Sequence, residues 1–526
     1  MATFIPTRAF VRPALLLSFL ALACENPPPP TTPDLPQVSI LVIEPNTVGK
    51  SVKLSLSVSG CAQVQSLEVL DNNEVVKRVS YGSTPTLVEL GVNELRFTRG
   101  ISASLSLTAR VTCDDGRANV SQAQSATFFP VEEVVEPQEA NSQVVTDYFV
   151  VEGSGANAAF IGCGREGNKS ILYRVKKSDP LHPDALEMPF PCDVTTTITD
   201  RKPAGTGWRW VWTRDKGAFA IAPDFKGYTG QIDKRVEFVT VGPDGDALLY
   251  EPGSIVRWTP AGKQKWISQA FSVDGGELLA EPLVRPGSLE TTTFVVPLLG
   301  DFRTGNNIIR VGVLKYLDGV LQNVQDIESV PANDLVPPVA FDPAGTVFYL
   351  ATQGEKAANV RACKIGGTDL CRAGSGTRLW MTDDLPGIMA GLVSYDNGTR
   401  LAAISTNRTW LLDVKSGSAS EGKPVNKDQQ PLTTNGALIT RYAQQGSGSY
   451  SSSFYLLNSA VPTTNNPMPY PVEIVATDAA EKGELYRYQV PGGSLFGAVD
   501  DAGELWLRIG PRLVKPFSPT WYRERR

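Results

Sequence analysis

The chain has one histidine, His182, and no Cys-x-x-Cys pair, which leaves neither the ligand set of a zinc site nor a thiol-redox motif. Its N-terminal apolar run, Pro13 to Ala23, is eleven residues long, about half of a membrane span. Gly-rich phosphate loops at a strand–helix junction and nucleophile elbows are also missing, so the usual signatures of nucleotide and ester chemistry do not apply. Charged residues make up only 20%, the formal net charge is -6, and no basic patch interleaves with aromatics. Nucleic acid is therefore not an expected partner.

What is abundant is glycine (47) and proline (39), which interrupt the apolar runs before they reach helical length. Val, Thr, Ile and aromatics fill those runs, and the expected fold class is all-β.

Arg8 and Arg12 precede the apolar run, which stops at Cys24, the pattern of an export signal. Ala21-Leu22-Ala23-Cys24 resembles the lipobox of bacterial lipoproteins. That resemblance implies a signal peptide over 1–23 and a mature chain held in the membrane by acyl chains (palmitate among them) on Cys24, a durable anchor. The alternatives are an ordinary secretory signal with Cys24 incidental, or a short uncleaved anchor. Glu25 stands where Asp commonly marks inner-membrane retention in such lipoproteins, which favours the outer membrane. Residues 24–36, rich in proline, read as an extended spacer.

Six cysteines remain: Cys61, Cys113, Cys163, Cys192, Cys363 and Cys371. An even set in an exported chain reads as three disulfides, with neighbours in sequence as the suggested pairs among the fifteen connectivities open to six thiols.

From 37 to 130 the chain alternates with period two, most clearly over Ser51–Ser59. Further strands are expected at Val38–Ile43, Ser66–Leu70, Val75–Ser80, Glu94–Phe97, Ser102–Cys113 and Gln122–Phe129, a small two-sheet sandwich. The pattern resembles the immunoglobulin-like modules of bacterial surface proteins, which implies a spacing or adhesive role. The acidic stretch 131–145, with Glu132, Glu133, Glu136 and Glu139, reads as a linker and hinge.

Residues 146–519 carry a loose repeat in which Asp and Gly precede an apolar strand, beginning at Asp244, Asp342, Asp396 and Asp501, with Asp215 a fifth candidate. The four clearer copies lie 98, 54 and 105 residues apart, so weaker units are expected near Thr293–Leu299 and Ser453–Leu457. A period near fifty with several strands per unit predicts a β-propeller of seven or eight blades. Gly253–Trp266 and Thr409–Gly417 resemble the repeat of the PQQ-like propeller family, which also contains a lipid-anchored barrel-assembly protein. The last residues, 520–526, form a tail that either helps close the ring or offers a docking segment.

No quinone or other cofactor site can be placed, and no metal site is assigned. Asp244 with Asp246, or Asp396 with Asn397, have the oxygens for Ca²⁺, but turn capping accounts for them without an ion. His182, between Pro180 and Pro183, is expected in an exposed loop rather than as a general base. Trp208, Trp210 and Trp212 share one face of a strand, and form either a stacking platform for sugars or protein, or the packing face of a blade. The expected protein is a non-enzymatic envelope scaffold that binds other envelope proteins through its propeller. The alternative is a propeller that binds or processes envelope glycan.

Overall fold

The computed structural model describes three tracts of the chain. These are 34–136 without 83–84 and 96–102; 142–269 without 145–148, 194–195, 200–206, 242–244 and 252–253; and, from 277 to 517, the strands given below with adjoining turns. The described residues form strands and a single 3-10 turn, Gly155–Asn157. None of their helices is long and apolar enough to cross a membrane.

The first unit contains β1 (Gln37–Val42), β2 (Asn46–Gly49), β3 (Ser51–Ser59), β4 (Val64–Asp71), β5 (Glu74–Val79), β6 (Thr86–Gly91), β7 (Ala103–Cys113), β8 (Ala118–Val120) and β9 (Gln124–Val135). β3 is the centre of a three-stranded antiparallel sheet with β1 and β6. β5, β4, β7 and β9 pair in that order in a second sheet. The alternation of β3 sends Val52, Leu54, Leu56 and Val58 inward, where they meet Leu67, Val69, Leu107, Val111 and Phe128 of the second sheet in one apolar core. In place of the strand expected at Glu94–Phe97, Glu94 and Leu95 lie in a turn, and 96–97 fall outside the described residues. The strand of that region is β6, and Glu94 accepts the Gly91 N–H at 2.6 Å to fix the turn that follows it.

Val131–Val135 is not a hinge, because β9 runs through it without a break. Its first half pairs with β7, residues Asn46–Gly49 of β2 run parallel to its middle, and Val131–Val135 pair with Leu513–Pro516 at the far end of the sequence. The glutamates that resemble a break are the charge complement of basic groups. Lys515 Nζ lies 3.1 Å from Glu132, 3.6 Å from Glu133 and 2.6 Å from Glu504. Lys177 pairs with Glu133, and Arg512 with Glu136 at 3.0 Å.

Beyond β9 the described residues form seven further sheets, and an eighth is completed by β9 itself. The first spans 142–187 (Ser142–Val144 and Val150–Glu152, then Ala159–Glu166, Lys169–Lys176, Asp179–Glu187). The second spans 197–232 (Thr197–Ile198, Arg209–Thr213, Gly217–Ile221, Tyr228–Ile232). The third spans 238–269 (Phe238–Val241, Ala247–Glu251, Ser254–Trp258, Gln264–Gln269). The fourth, over 277–331, pairs Glu277–Leu278, Leu283–Val284, Thr292–Val296, Leu298–Asp301, Ile308–Leu317 and Val320–Pro331. The fifth, over 339–386, has Val339–Phe341, Val347–Gln353, Ala357–Lys364, Arg378–Met381 and Leu385–Pro386. Met389–Tyr395, Arg400–Ser405, Arg408–Asp413 and Ala419–Pro424 make the sixth. Ala437–Thr440, Ser453–Asn458, Val472–Asp478 and Gly483–Val490 make the seventh. The last is Leu495–Val499, Leu505–Ile509 and Arg512–Pro516, with β9 at its edge.

All their pairings are antiparallel, and most are simple up-and-down meanders. Faces of successive sheets share cores: the first with the second around Ile161, Leu172, Val211 and Phe219, and the fifth with the sixth around Tyr349, Val360, Leu401 and Leu412. Another core joins the last sheet to the first, with Trp506 and Leu513 against Phe149, Val151 and Phe160. The Phe160 and Trp506 rings meet edge to face, 4.8 Å between centroids.

The Asp-Gly repeat marks one position in these sheets. Strands after Asp244, Asp342, Asp396 and Asp501 are each the second of their sheet, as is Ser453–Asn458. At Asp342 the carboxylate accepts the N–H groups of Thr346 (2.6 Å) and Val347 (2.7 Å), and Gly345 takes φ +64°, the turn chemistry expected of the repeat.

Candidate functional site

Cys24, Cys371, Asp244, Asp396 and Asn397 lie outside the described residues. Cys61 is bonded to Cys113, tying the connection that leaves β3 to the end of β7, and Cys163 is bonded to Cys192. Cys363 is disulfide-bonded as well.

The tryptophan face is packing. Trp210 and Trp212 are buried, with Trp208 packed partly exposed beside them, against Val239, Val241, Ala247 and Leu249 of the next sheet. The Trp210 indole N–H donates to the Gly245 carbonyl at 3.0 Å, in that sheet's turn. A sugar ring has no free face of Trp210 to stack on, since burial closes both.

The candidate Ca²⁺ ligand Asp246 is buried and committed elsewhere. Its Oδ2 receives Arg257 Nε at 2.8 Å, Arg257 Nη2 at 2.7 Å and Lys265 Nζ at 2.7 Å. Cations crowd the oxygen a metal would need. Among the described residues, no three His, Cys, Asp or Glu side chains group as metal ligands do.

His182 lies in the strand Asp179–Glu187 rather than in a loop, and its exposed ring Nδ1 sits 2.8 Å from Asp179 Oδ1. Proline removes a donor, which a sheet tolerates at its edge, and this strand is the edge of the first sheet with a register shift opposite Arg174–Lys176.

The site that sequence reasoning missed is a cleft of about 560 Å³ where the first unit meets the seam between the last and first sheets. Lys50 comes from the residue before β3 and Lys53 from its start, Lys177 and Leu181 from the first sheet's outer hairpin, Glu136 from just past the end of β9, and Arg512 from the last strand. Arg512 fastens this junction, pairing with Glu136 and donating to the Val48 carbonyl at 3.4 Å. Lys177, besides its pair with Glu133, lies 5.6 Å from the centre of the Trp506 ring. The Lys50 and Lys53 side chains are exposed and carry no hydrogen bond or ion pair among the described residues. Nearby, Lys515 is shifted above the ordinary lysine range: burial acts to lower it, and the hydrogen bonds to Glu504 and Glu132 overcome that.

Nothing local in the sequence announces this cleft, because Lys177 and Arg512 each lie more than a hundred residues along the chain from the pair Lys50 and Lys53. A signal did exist for the tryptophans. Trp210 and Trp380 each precede by about thirty-five residues a turn of the next sheet whose carbonyl the indole binds.

No family model matches the chain, and no curated protein matches it. Solved structures similar to it include the β-propeller domain of Myceliophteria thermophila Cps50 (Swd1), at 11% identity over 61% of this chain and 95% of that one, with a TM-score of 0.39. The Dos1 propeller is similar at 10% identity, covering 73% of this chain and 93% of that one, with a TM-score of 0.46. Hsv2p of Kluyveromyces lactis is similar at 8% identity, covering 58% and 86%, with a TM-score of 0.36.

Proposed function

We propose that this chain is a lipid-anchored, non-catalytic envelope protein that presents a ring of β-sheets as a docking head for other envelope proteins. In this reading Cys24 carries the acyl chains at the outer membrane, 24–36 is the tether, the first unit is an immunoglobulin-like spacer, and the eight sheets are the blades of a closed PQQ-like propeller. Closure is supported by the core that joins Trp506 and Leu513 to Phe149 and Phe160, and by β9 supplying the last sheet's outer strand.

The observation that carries the reading is the placement of the two attachments on the spacer. The tether enters at the end of the first unit bearing the Cys61–Cys113 bond, where Arg117 donates to the Asp34 carbonyl and Asn119 to the Pro36 carbonyl at 2.7 Å. The sheets of the head attach at the opposite end, where β9 leaves. A spacer needs this polarity. The burial of Trp210 and Trp212 removes the main support for a glycan-processing head.

Two measurements on the full-length chain test it. Mass spectrometry is expected to find diacylglycerol on Cys24, and Cys24→Ser is expected to move the protein to the soluble fraction. Photo-reactive residues at the exposed turn positions Asp224 and Lys415, both between third and fourth strands, are expected to capture the same envelope protein in intact cells. An unmodified Cys24 thiol removes the anchor from the proposal. Absence of a common cross-linked partner removes the scaffold.

A further inference from the structure

We propose that the cleft at the junction is a second binding site, which receives an acidic peptide segment of a partner protein on Lys50 and Lys53. The chain as a whole is acidic, at -6, yet this lining gathers Lys50, Lys53, Lys177 and Arg512 against Glu44 and Glu136. Within it the charges divide into two groups. Arg512 and Lys177 are neutralised by Glu136 and Glu133 and hold the walls together. Lys50 and Lys53 make no ion pair among the described residues, although Glu89 stands across from Lys53 on β6 and Glu44 is in the lining, so their ammonium groups are available to a ligand that competes with these two carboxylates.

Size and chemistry select the ligand. A volume of about 560 Å³ is that of a site for a ligand of many atoms, within the usual range of roughly 300–1,000 Å³, and exceeds what a bare anion fills. Pro180 and Leu181 add an apolar wall, with Leu181 55% exposed. Free cations beside an exposed apolar side chain match a segment that alternates carboxylates with an apolar residue. Lys53 lies in β3, a strand paired on both sides, and Lys50 immediately precedes it, so the backbone that carries both is fixed and only the side chains need ordering. The site is separate from the turns of the sheets, and its occupancy does not depend on what those turns bind.

The test uses fluorescence anisotropy of a labelled Glu-Glu-Leu-Glu-Glu-Leu peptide with the full-length, detergent-held chain. Lys50→Gln/Lys53→Gln is expected to weaken binding about tenfold, as two exposed charge pairs allow, while Lys216→Gln/Lys226→Gln on exposed turns leaves it unchanged. Added salt is expected to weaken the wild-type interaction. Equal binding by the cleft variant, or equal affinity for Gln-Gln-Leu-Gln-Gln-Leu, overturns the proposal. Displacement of the peptide by inorganic phosphate at the peptide's own concentration would make the cleft a simple anion site and likewise overturn it. Melting curves of both double variants report that the fold is intact.

Discussion

The indole of Trp380 lies on Gly417, across the gap between the fifth and sixth sheets. Its N–H donates to the Val414 carbonyl at 2.6 Å, and a Cβ on Gly417 would stand 2.5 Å from the ring. The turn that presents these groups is organised by Asp413, which accepts the N–H groups of Lys415 at 3.0 Å and Ser416 at 2.9 Å. Those bonds hold the Asp413 carboxyl below its ordinary range, the Ser416 N–H contributing most.

Gly417→Ala is accordingly expected to destabilise the chain by about 2–4 kcal/mol. Gly417 has φ +71°, which costs an alanine about 1–2 kcal/mol, and the displaced indole adds a packing loss. Urea denaturation followed by tryptophan fluorescence measures it. A change below 0.5 kcal/mol would mean that the indole does not rest on this turn.

Cys61→Ser/Cys113→Ser removes a bond that closes 52 residues of chain. Loss of about 2–4 kcal/mol is expected, and it should appear as a lowered unfolding midpoint that dithiothreitol no longer shifts at this site. Since Asp34 and Pro36 are held beside this bond, proteolysis around residues 34–36 should also quicken.

Val134→Pro places an unfavourable residue in β9 where it pairs with Val514. The expected result is faster amide exchange at Leu513 and Val514 together with a lowered unfolding midpoint, a cost of about 1–3 kcal/mol if a ladder bond is lost and its partner left unpaired. A first unit and head that are linked only loosely would instead leave exchange on the last strand unchanged.

The Lys515 cluster predicts a loss of stability in alkali. The folded pKa is raised above the unfolded value of 10.5, so the contribution is complete below 10.5 and disappears as pH climbs through the higher folded value. Chemical denaturation at a series of pH values above 9 should show this fall, and Lys515→Met should flatten it while lowering stability at neutral pH, because Glu132, Glu133 and Glu504 then lose their shared cation.

The sheets were legible wherever one face is buried. Ser51–Ser59 alternates because Val52, Leu54, Leu56 and Val58 fill a core, and the strand has the bounds its pattern implies. The Asp-Gly repeat was legible because a tight turn restricts which residues can form it. Asp215 stands only 29 residues before Asp244 because it precedes the third strand of its sheet, whereas the other copies precede the second. Charge misled at 131–135, where Glu132 and Glu133 imply solvent until Lys177 and Lys515, distant in sequence, are brought to them. Proline misled at Pro180 and Pro183, since an edge strand accepts what a central one does not. The cleft was illegible for the same reason as the glutamates, being assembled entirely by tertiary pairing.

β9 also decides how the molecule bears load. A pull on the chain ahead of β1 enters through the first unit and travels along β9 to reach the last sheet as shear, with the hydrogen bonds to Leu513–Pro516 lying across the direction of tension. Bonds strained side by side yield together rather than one at a time, so a force between the first unit and the sheets would meet a stiff strut, fastened where the last sheet packs on the first.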